Sequence, residues 1–391
     1  MTHRVLWISA EPPDANGTGG QIRQARLLDA LTKRSEVHLL VYGHVEDEAV
    51  RQRVASVVDI DAAPHPVVTS LWQRRGRDLF NALAARFPSE VRANLDARLA
   101  LTAALQNAPE VDVVLVEHLG LAPILPAARR TPWAITLQNI ASETAKQLAT
   151  VTTGRRQRWL FEREQRTAAA FERWVVQAYD TVFTVSPDDA ALLDGDPLVV
   201  PNGVDLQRFA PSPVPSNPSI VFTGHLAYLP NVDGVTWFCR EVLPRVREQV
   251  PAAHVDIVGR IPVADVRDLA GPAVDVHADV ETVAPYLASS RVAVIPLRLG
   301  SGTRLKALEA GAAGRPVVGT TVGLAGVPWR DGVSALIADD ADSMARAIVT
   351  VLTDDAIANS LASEGRTLAE QFDWEAIGER FSDAVVRLAA T

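Results

Sequence analysis

Short apolar runs alternate with amphipathic segments along the whole chain. Runs of four to six apolar residues predict buried strands, and apolar residues three or four positions apart predict helices. We expect strands at residues 5–9, 37–42, 57–60, 111–116, 132–137 and 180–185, and then at 254–258, 274–277, 292–295 and 317–318, with another beginning at Ile220. The clearest helices are at 21–32, 155–177 and 375–389. This alternation predicts α/β domains of the Rossmann type.

Residues 292–326 carry the richest chemistry. A strand at 292–295 leads through Gly300 and Gly302 into a helix at 303–313, and a second strand follows at 317–318. A glycine turn opening a helix allows close approach of a backbone and presents free amide N–H groups to anions. Helical spacing predicts one exposed face, made of Gly302, Lys306, Glu309 and Ala313, opposite a core stripe of Leu305, Leu308 and Ala312.

Cations gather at the same helix end. Arg298, Arg304 and Lys306 surround the glycine turn, and Glu309 follows one turn later. The Lys306 and Glu309 pair by itself is explained by an exposed i,i+3 salt bridge worth a few tenths of a kcal/mol. Glycines, cations and a carboxylate together favour a phosphorylated ligand that carries a hydroxyl-bearing ring.

The segment PLRLGSGTRLKALEAGAAGRPVVGTTVGLAGV resembles the donor site of family 4 glycosyltransferases, which are retaining enzymes of the GT-B fold. The resemblance implies that Glu309 holds the ribose of a nucleotide-sugar, that basic residues hold its diphosphate, and that backbone amides hold the sugar. Many members carry a second glutamate eight positions before the ribose residue, where this chain has Ser301.

The resemblance implies catalytic and donor-binding residues in both halves of the chain. His118 ends the strand at 111–116 and corresponds to a family histidine that reaches the donor sugar. Many members carry an arginine–lysine pair for the diphosphate after the strand that begins at Ile220. This chain lacks the pair, so Arg298, Arg304 and Lys306 become more important as candidates to bind the diphosphate. Gln138 stands where relatives often have histidine. The implied catalytic residues are His118, Arg298 and Lys306, and the implied donor-binding residues are Gly19, Gly20, Thr223, Gly224, Val280, Gly302, Thr303, Arg304 and Glu309.

The length of 391 residues suits two domains rather than one core. With the resemblance, we expect an acceptor-side Rossmann-like domain at 1–200, a donor-binding one at 201–370, and a terminal helix at 371–391 that packs back on the first domain. The fold class is therefore α/β, a GT-B fold of two parallel-sheet domains facing an interdomain cleft.

The composition excludes several classes of partner and cofactor. A net charge of −9 argues against a nucleic-acid binder, and the single cysteine, Cys239, excludes an internal disulfide and a Cys-rich zinc site. No His cluster or acidic pair at ligand spacing is visible, so we expect neither a metal nor a cofactor beyond the nucleotide-sugar. The apolar run at the N-terminus is too short for a signal peptide or a membrane span. We expect a cytoplasmic protein.

The basic, aromatic segment at residues 71–100 leaves two interpretations open. It can lie on a membrane surface, which would make the protein peripheral at the inner face, or it can be a solvated helical face that covers the core. The second interpretation is favoured.

The prediction of function is a retaining glycosyltransferase that moves a hexose-type sugar from a nucleotide-diphosphate sugar to an acceptor hydroxyl. The acceptor would be a glycan, a lipid-linked sugar or a small aglycone. The alternatives are a GT-B-fold sugar-nucleotide epimerase and a non-catalytic nucleotide-sugar-binding relative.

Overall fold

The computed structural model describes residues 2–61, 87–300 and 302–391. Most of the segment at 71–100, with its proposed membrane contact, and Ser301 lie outside the described residues. The chain forms two compact units, one of Met1–Val200 with Glu375–Thr391 and one of Pro201–Trp374.

The first unit is built on a parallel sheet. Its seven strands are β1 (His3–Ser9), β2 (Ser35–Tyr42), β3 (Ser56–Ile60), β4 (Val113–Glu117), β5 (Trp133–Leu137), β6 (Thr181–Thr184) and β7 (Leu198–Val199). They are ordered β3-β2-β1-β4-β5-β6-β7, and every ladder is parallel. The fully buried β4 and β5 explain the continuous apolar runs in the sequence, because helices cover both faces of such a sheet.

Helices connect these strands. The described helices are α1 (Gly19–Thr32), α2 (Glu48–Arg53), α3 (Ser89–Ala93), α4 (Leu95–Ala104), α5 (Ala141–Val151), α6 (Arg155–Ala178) and α7 (Pro187–Ala191), with a 3₁₀ segment at Leu119–Ile124. Helix α1 begins with a capping box, in which the Thr18 side chain and the Gln21 side chain satisfy each other's backbone N–H groups. The glycines of the preceding loop therefore lead directly into a helix N-terminus.

The second unit has its own parallel sheet. Its strands are β8 (Ser219–His225), β9 (His254–Arg260), β10 (Val274–Ala278), β11 (Val292–Ile295), β12 (Val317–Gly319) and β13 (Leu336–Ile337), in the order β10-β9-β8-β11-β12-β13. Its helices are α8 (Leu229–Trp237), α9 (Leu243–Gln249), α10 (Ala264–Arg267), α11 (Ala284–Ser289), α12 (Leu305–Ala312), α13 (Ala341–Thr353) and α14 (Asp355–Glu370). A π-helical turn at Phe238–Val242 joins α8 to α9.

The last helix, α15 (Trp374–Ala389), contributes to the core of the first unit. Ile377, Phe381 and Val385 recur every four residues and are fully buried. The Phe381 ring makes edge contacts with the rings of Trp7 and Phe183, at centroid distances of 6.0 and 5.2 Å. Apolar burial and these aromatic contacts hold α15 in place.

The predicted fold class is confirmed, since two Rossmann-like parallel sheets with flanking helices are present. In each sheet the strand order reverses at one place, between β1 and β4 in the first unit and between β8 and β11 in the second. Open α/β sheets bind ligands outside the carboxyl ends of the strands at such a reversal. The residues that follow β1, β4, β8 and β11 are therefore the first places to look for a site.

Candidate functional site

The turn between β11 and α12 contains two glycines in the left-handed region, Gly300 at φ +119° and Gly302 at φ +80°. A Cβ on Gly300 would lie 2.9 Å from Nη2 of Arg304. Both positions thus need glycine because an L side chain would be strained there. The turn brings the chain from the carboxyl end of β11 to the N-terminus of α12.

Lys306 lies in the first turn of α12 and reaches toward the carboxyl end of β8. Its ammonium Nζ donates to Oδ1 of Asn231 at 2.7 Å and lies 4.2 Å from the centroid of the Phe222 ring. Burial, and to a smaller extent the Arg304 guanidinium, lowers the pKa of Lys306 to about 7, although Glu309 opposes the change. Loss of solvation therefore disfavours the charged form of this amine in the folded protein.

The predicted exposed face of α12 is wrong. Gly302 and Ala313 are buried, and Lys306 and Glu309 are half-buried. Lys306 pairs with Asn231 rather than forming the expected surface salt bridge. The reason is that neighbouring elements enclose the helix: a Cβ on Gly311 would lie 2.9 Å from the Gly365 carbonyl oxygen of α14. Helical spacing predicts which residues share one face of a helix, but it does not predict which other elements of the fold pack on that face.

Glu309 is one turn further along α12. Burial raises the pKa of its carboxyl to about 7, while Arg208 and Lys306 act in the opposite direction. Arg208 lies near the start of the second unit, in the sequence PNGVDLQR at 201–208, and was not a predicted site residue. A half-buried carboxylate near two cations is well suited to accept hydrogen bonds from ligand hydroxyls.

The two predicted arginines already have partners. Arg298 forms two hydrogen bonds to the Asp233 carboxylate, at 2.9 and 2.6 Å, and stacks over the Trp237 ring. Arg304 Nε donates to the Val322 carbonyl oxygen at 3.3 Å. Arg304 therefore ties the glycine turn to the loop after β12, whereas the Arg298 charge is balanced by a carboxylate.

The remaining predicted donor-side residues belong to the same unit, and they lie at the ends of β8 and β10 and in the turn before α12. β8 extends through His225, so Thr223 and Gly224 belong to its carboxyl end rather than following it, and Thr223 is buried. The Thr303 carbonyl accepts from Nδ2 of Asn202 at 3.4 Å. Val280 follows β10 and packs against the core. The structure brings Gly224 and Lys306 into direct proximity.

His118 occupies the carboxyl end of β4 in the first unit. Its backbone has a φ of +87°, uncommon for a residue other than glycine. Its Nε2 lies 3.0 Å from Oε1 of Glu90, and its Nδ1 accepts from the Gly120 amide at 3.4 Å. Residues held in such sparsely populated backbone conformations cluster at functional sites.

Gly19 and Gly20 begin α1 at the same edge of the first sheet. A Cβ on Gly20 would lie 2.5 Å from Oε1 of Gln138, whose Nε2 donates to Glu117 at 3.4 Å. Glu117 is fully buried, and burial raises its pKa to about 7 although the Arg23 guanidinium opposes this. The loop after β1 thus rests on the ends of β4 and β5.

Sequence reasoning missed Asn231 and Asp233, which hold Lys306 and Arg298. Both lie in the PNVDG stretch that opens α8, and polar residues beside a glycine after a strand were the available clue. It also missed a cluster of His254, Asp256 and Asp275, whose donor atoms lie within 4.8 Å of one another across β9 and β10. Asp275 lies about twenty positions after the other two residues, so only the pairing of β9 with β10 brings the three together.

Within the described ranges, none of the helices combines the length and the apolar character needed to cross a bilayer.

The second unit resembles a known sequence family. Residues 217–354 match the model described as glycosyl transferases group 1. A region of 260 residues is 30% identical to glycogen synthase of Mycobacterium tuberculosis and covers 61% of this chain and 61% of that protein. The chain therefore spans less than two thirds of this curated relative.

Solved structures resemble the chain over nearly its full length. Sucrose-phosphate synthase from Thermosynechococcus elongatus has a TM-score of 0.75 at 18% identity and covers 99% of both chains. Anabaena HepE, solved in complex with UDP and glucose, has a TM-score of 0.67 at 14% identity, over 98% of this chain and all of its own. At these identities the likeness establishes the fold. The chain thus has the GT-B fold, and its residues 217–354 match the family of glycosyl transferases group 1.

Proposed function

We propose that this protein is a retaining glycosyltransferase of family 4 that transfers a hexose-type sugar from a nucleotide-diphosphate sugar to an acceptor hydroxyl. The observation that carries the proposal is the arrangement at the reversal between β8 and β11. There a partly buried amine, that of Lys306, and a partly buried carboxylate, that of Glu309, lie on the helix that follows the left-handed turn at Gly302, and the amine lies against Gly224 at the end of β8.

The chemistry expected of a nucleotide-sugar donor fits these groups. The diphosphate brings negative charge to an amine whose pKa is near 7, so binding would draw a proton onto Lys306. Glu309 would accept hydrogen bonds from the ribose hydroxyls, and the helix N-terminus would face the phosphates. As the bond from the sugar to the phosphate breaks, the charge that develops on the leaving diphosphate is stabilised by Lys306.

Arg298 and His118 have less direct roles in this proposal. Arg298 would have to exchange Asp233 for a phosphate oxygen, because its guanidinium is already held by that carboxylate. His118 would contact the donor sugar from the first unit. No metal is assigned a role in the proposed transfer; the acceptor oxygen would attack the face from which the diphosphate departs, and the leaving phosphate would take its proton.

Partners follow from this assignment. The donor would be a nucleotide-diphosphate sugar, consistent with HepE being solved with UDP and glucose. The acceptor would be a glycan, a lipid-linked sugar or a small aglycone. The single cysteine, Cys239, suits a reducing compartment, and we propose that the protein is cytoplasmic.

The experiment is a panel of UDP-, GDP- and ADP-sugars incubated with the full chain, with and without mono- and disaccharide acceptors. Product formation is followed by mass spectrometry, and the anomeric configuration by NMR. Transfer with retained configuration supports the proposal. Donor consumption without acceptor indicates the epimerase alternative, binding without consumption indicates a non-catalytic protein, and an inverted product contradicts the retaining assignment.

A Lys306→Met variant tests the role of the amine in this panel, since methionine keeps the length and apolar stem of lysine but carries no charge. Transfer should fall by about two orders of magnitude or more, as when one preorganised charge is removed from an active site. Lys146 is an exposed helical lysine of the first unit, paired with Glu143. The Lys146→Met variant is the matched control and should transfer sugar at the wild-type rate.

A further inference from the structure

The amide of Asn231 is buried and bonded at both ends. The side chain is 5% exposed. Its Nδ2 donates to the His225 carbonyl oxygen at 2.8 Å, and its Oδ1 accepts from Nζ of Lys306 at 2.7 Å. Because a carbonyl can only accept and an ammonium can only donate, the two contacts fix which end of the amide faces Lys306.

Two further groups confine the lysine amine. The Phe222 ring lies beneath it, with 4.2 Å between Nζ and the ring centroid. Gly224 borders it, since a Cβ there would lie 2.6 Å from Nζ and 2.9 Å from Nδ2 of Asn231. A lysine side chain is normally rich in rotamers, so these contacts remove conformational freedom that ligand binding would otherwise have to remove.

We propose that Asn231 is a positioning residue that acts through Lys306, holding its amine at the carboxyl end of β8 where the donor diphosphate binds. This inference rests on the proposed function. Asn231 is the first polar side chain of α8 past the strand, and the β8 loop lacks the basic pair that the family resemblance leads one to expect there. The cation comes instead from α12, and Asn231 joins α12 to the β8 loop.

The neutrality of the amide matters as much as its position. An aspartate at 231 would form an ion pair with Lys306. Its carboxylate would neutralise the Lys306 charge before a phosphate binds. Asp233 shows that contrast two residues later, because it pairs with Arg298 through two hydrogen bonds. An asparagine holds the amine by one hydrogen bond and leaves its positive charge for the ligand.

The test measures binding of UDP, GDP and ADP to the full chain by calorimetry. The variants are Asn231→Ala, Asn231→Asp, Lys306→Met and the double variant Asn231→Ala/Lys306→Met. Asn217, bonded through its side chain to Ser219, supplies a control, Asn217→Ala, in the same unit. We expect Asn231→Ala to weaken the best-bound nucleotide by about tenfold or more, and the control to leave it unchanged.

The double variant distinguishes positioning from structural support. If Asn231 acts through Lys306, Asn231→Ala should change affinity by less than about twofold in the Lys306→Met background. An equal loss in both backgrounds overturns the inference. Wild-type affinity for Asn231→Ala, in a chain whose binding Lys306→Met does weaken, overturns it while sparing the proposed function. A wild-type chain that binds none of the three nucleotides overturns both.

The pH profile gives a second readout that a structural role would not move. Arg304 and Glu309 also face the Lys306 amine, and the Glu309 carboxyl is ionised well above pH 7. Nucleotide affinity of the wild type should therefore fall between about pH 8 and pH 10, because the amine must then take up a proton to bind. Asn231→Asp keeps the shape and an acceptor but adds a negative charge, so the fall should begin at higher pH, with weaker binding at pH 7. An unshifted pH profile in a folded Asn231→Asp variant contradicts the inference. If Asn231→Ala does not fold, Asn231→Asp replaces it as the test variant.

Discussion

Replacing Lys306 by methionine should stabilise the ligand-free protein while it removes donor binding. The folded-state pKa of Lys306 is about 7, below its ordinary value of 10.5, because burial disfavours the charged form. Between these values the unfolded chain binds more protons than the folded chain, so the free energy of unfolding increases with pH. The cost of the buried charge is therefore complete below about pH 7 and disappears as the pH approaches 10.5.

The size of the effect follows from the same two values. A difference of about 3.5 between 10.5 and about 7, at about 1.4 kcal/mol for each pKa unit, sets an upper limit of about 5 kcal/mol. Lys306 is only half-buried, and the methionine variant loses the Asn231 hydrogen bond and the attraction to Glu309. We therefore expect Lys306→Met to raise the free energy of unfolding by about 2 kcal/mol at pH 7, since such losses of one to a few kcal/mol offset part of the limit.

Calorimetry at pH 7, 8.5 and 10 measures this difference as a shift in thermal midpoint. About 2 kcal/mol corresponds to roughly 4–8 °C for a unit of this size, and the gain should shrink toward pH 10. The change between pH 8.5 and pH 10 isolates Lys306 from Glu309, whose carboxyl is ionised in both states at pH values well above its pKa of about 7. Lys146→Met is the control and should show no such trend. A destabilised Lys306→Met variant at pH 7, or a shift equal at all three pH values, would refute the reasoning.

Three further predictions concern the donor and the sugar. Glu309→Gln should weaken nucleotide binding by about 1.5–3 kcal/mol, because it loses charge-assisted acceptance from hydroxyls, and unchanged affinity in calorimetry would remove Glu309 from the site. Arg298→Ala should lower the transfer rate at least tenfold yet change the thermal midpoint little, since the exposed pair with Asp233 contributes about 0–1 kcal/mol; normal turnover would place the diphosphate elsewhere. His118→Ala should reduce transfer while leaving nucleoside diphosphate affinity within about twofold of wild type, because donor-side contacts of the second unit remain intact. Undiminished transfer by that variant would exclude the proposed sugar contact.

Strand and helix positions could be predicted closely from the sequence. The predicted strand at 292–295 is β11 itself, and the predicted helix at 155–177 differs from α6 by one residue. Buried parallel strands read as continuous apolar runs, and helices as runs of period 3.6, so local patterning carries this information. Left-handed glycines at 300 and 302 were predictable for the same local reason, since only glycine adopts those angles without strain.

The environment of the candidate site was decided by tertiary structure. Helical spacing correctly placed Lys306 and Glu309 near each other, but their burial depends on β8, α8 and α14, which are distant in the chain. Desolvation is the largest cause of both pKa changes, and it comes from elements that are distant in the chain. The pKa changes of Lys306 and Glu309 therefore could not be predicted from their neighbours in the sequence.

The pairing partners show the same division. The sequence by itself determined the individual strands and helices, the glycine turn and the set of candidate cations, because these depend on residues within a few positions of one another. Only the tertiary structure paired Lys306 with Asn231, Arg298 with Asp233, and His118 with Glu90. These contacts join residues that are 28 to 75 positions apart, and their formation depends on strand order and on which loops meet at the reversal of each sheet.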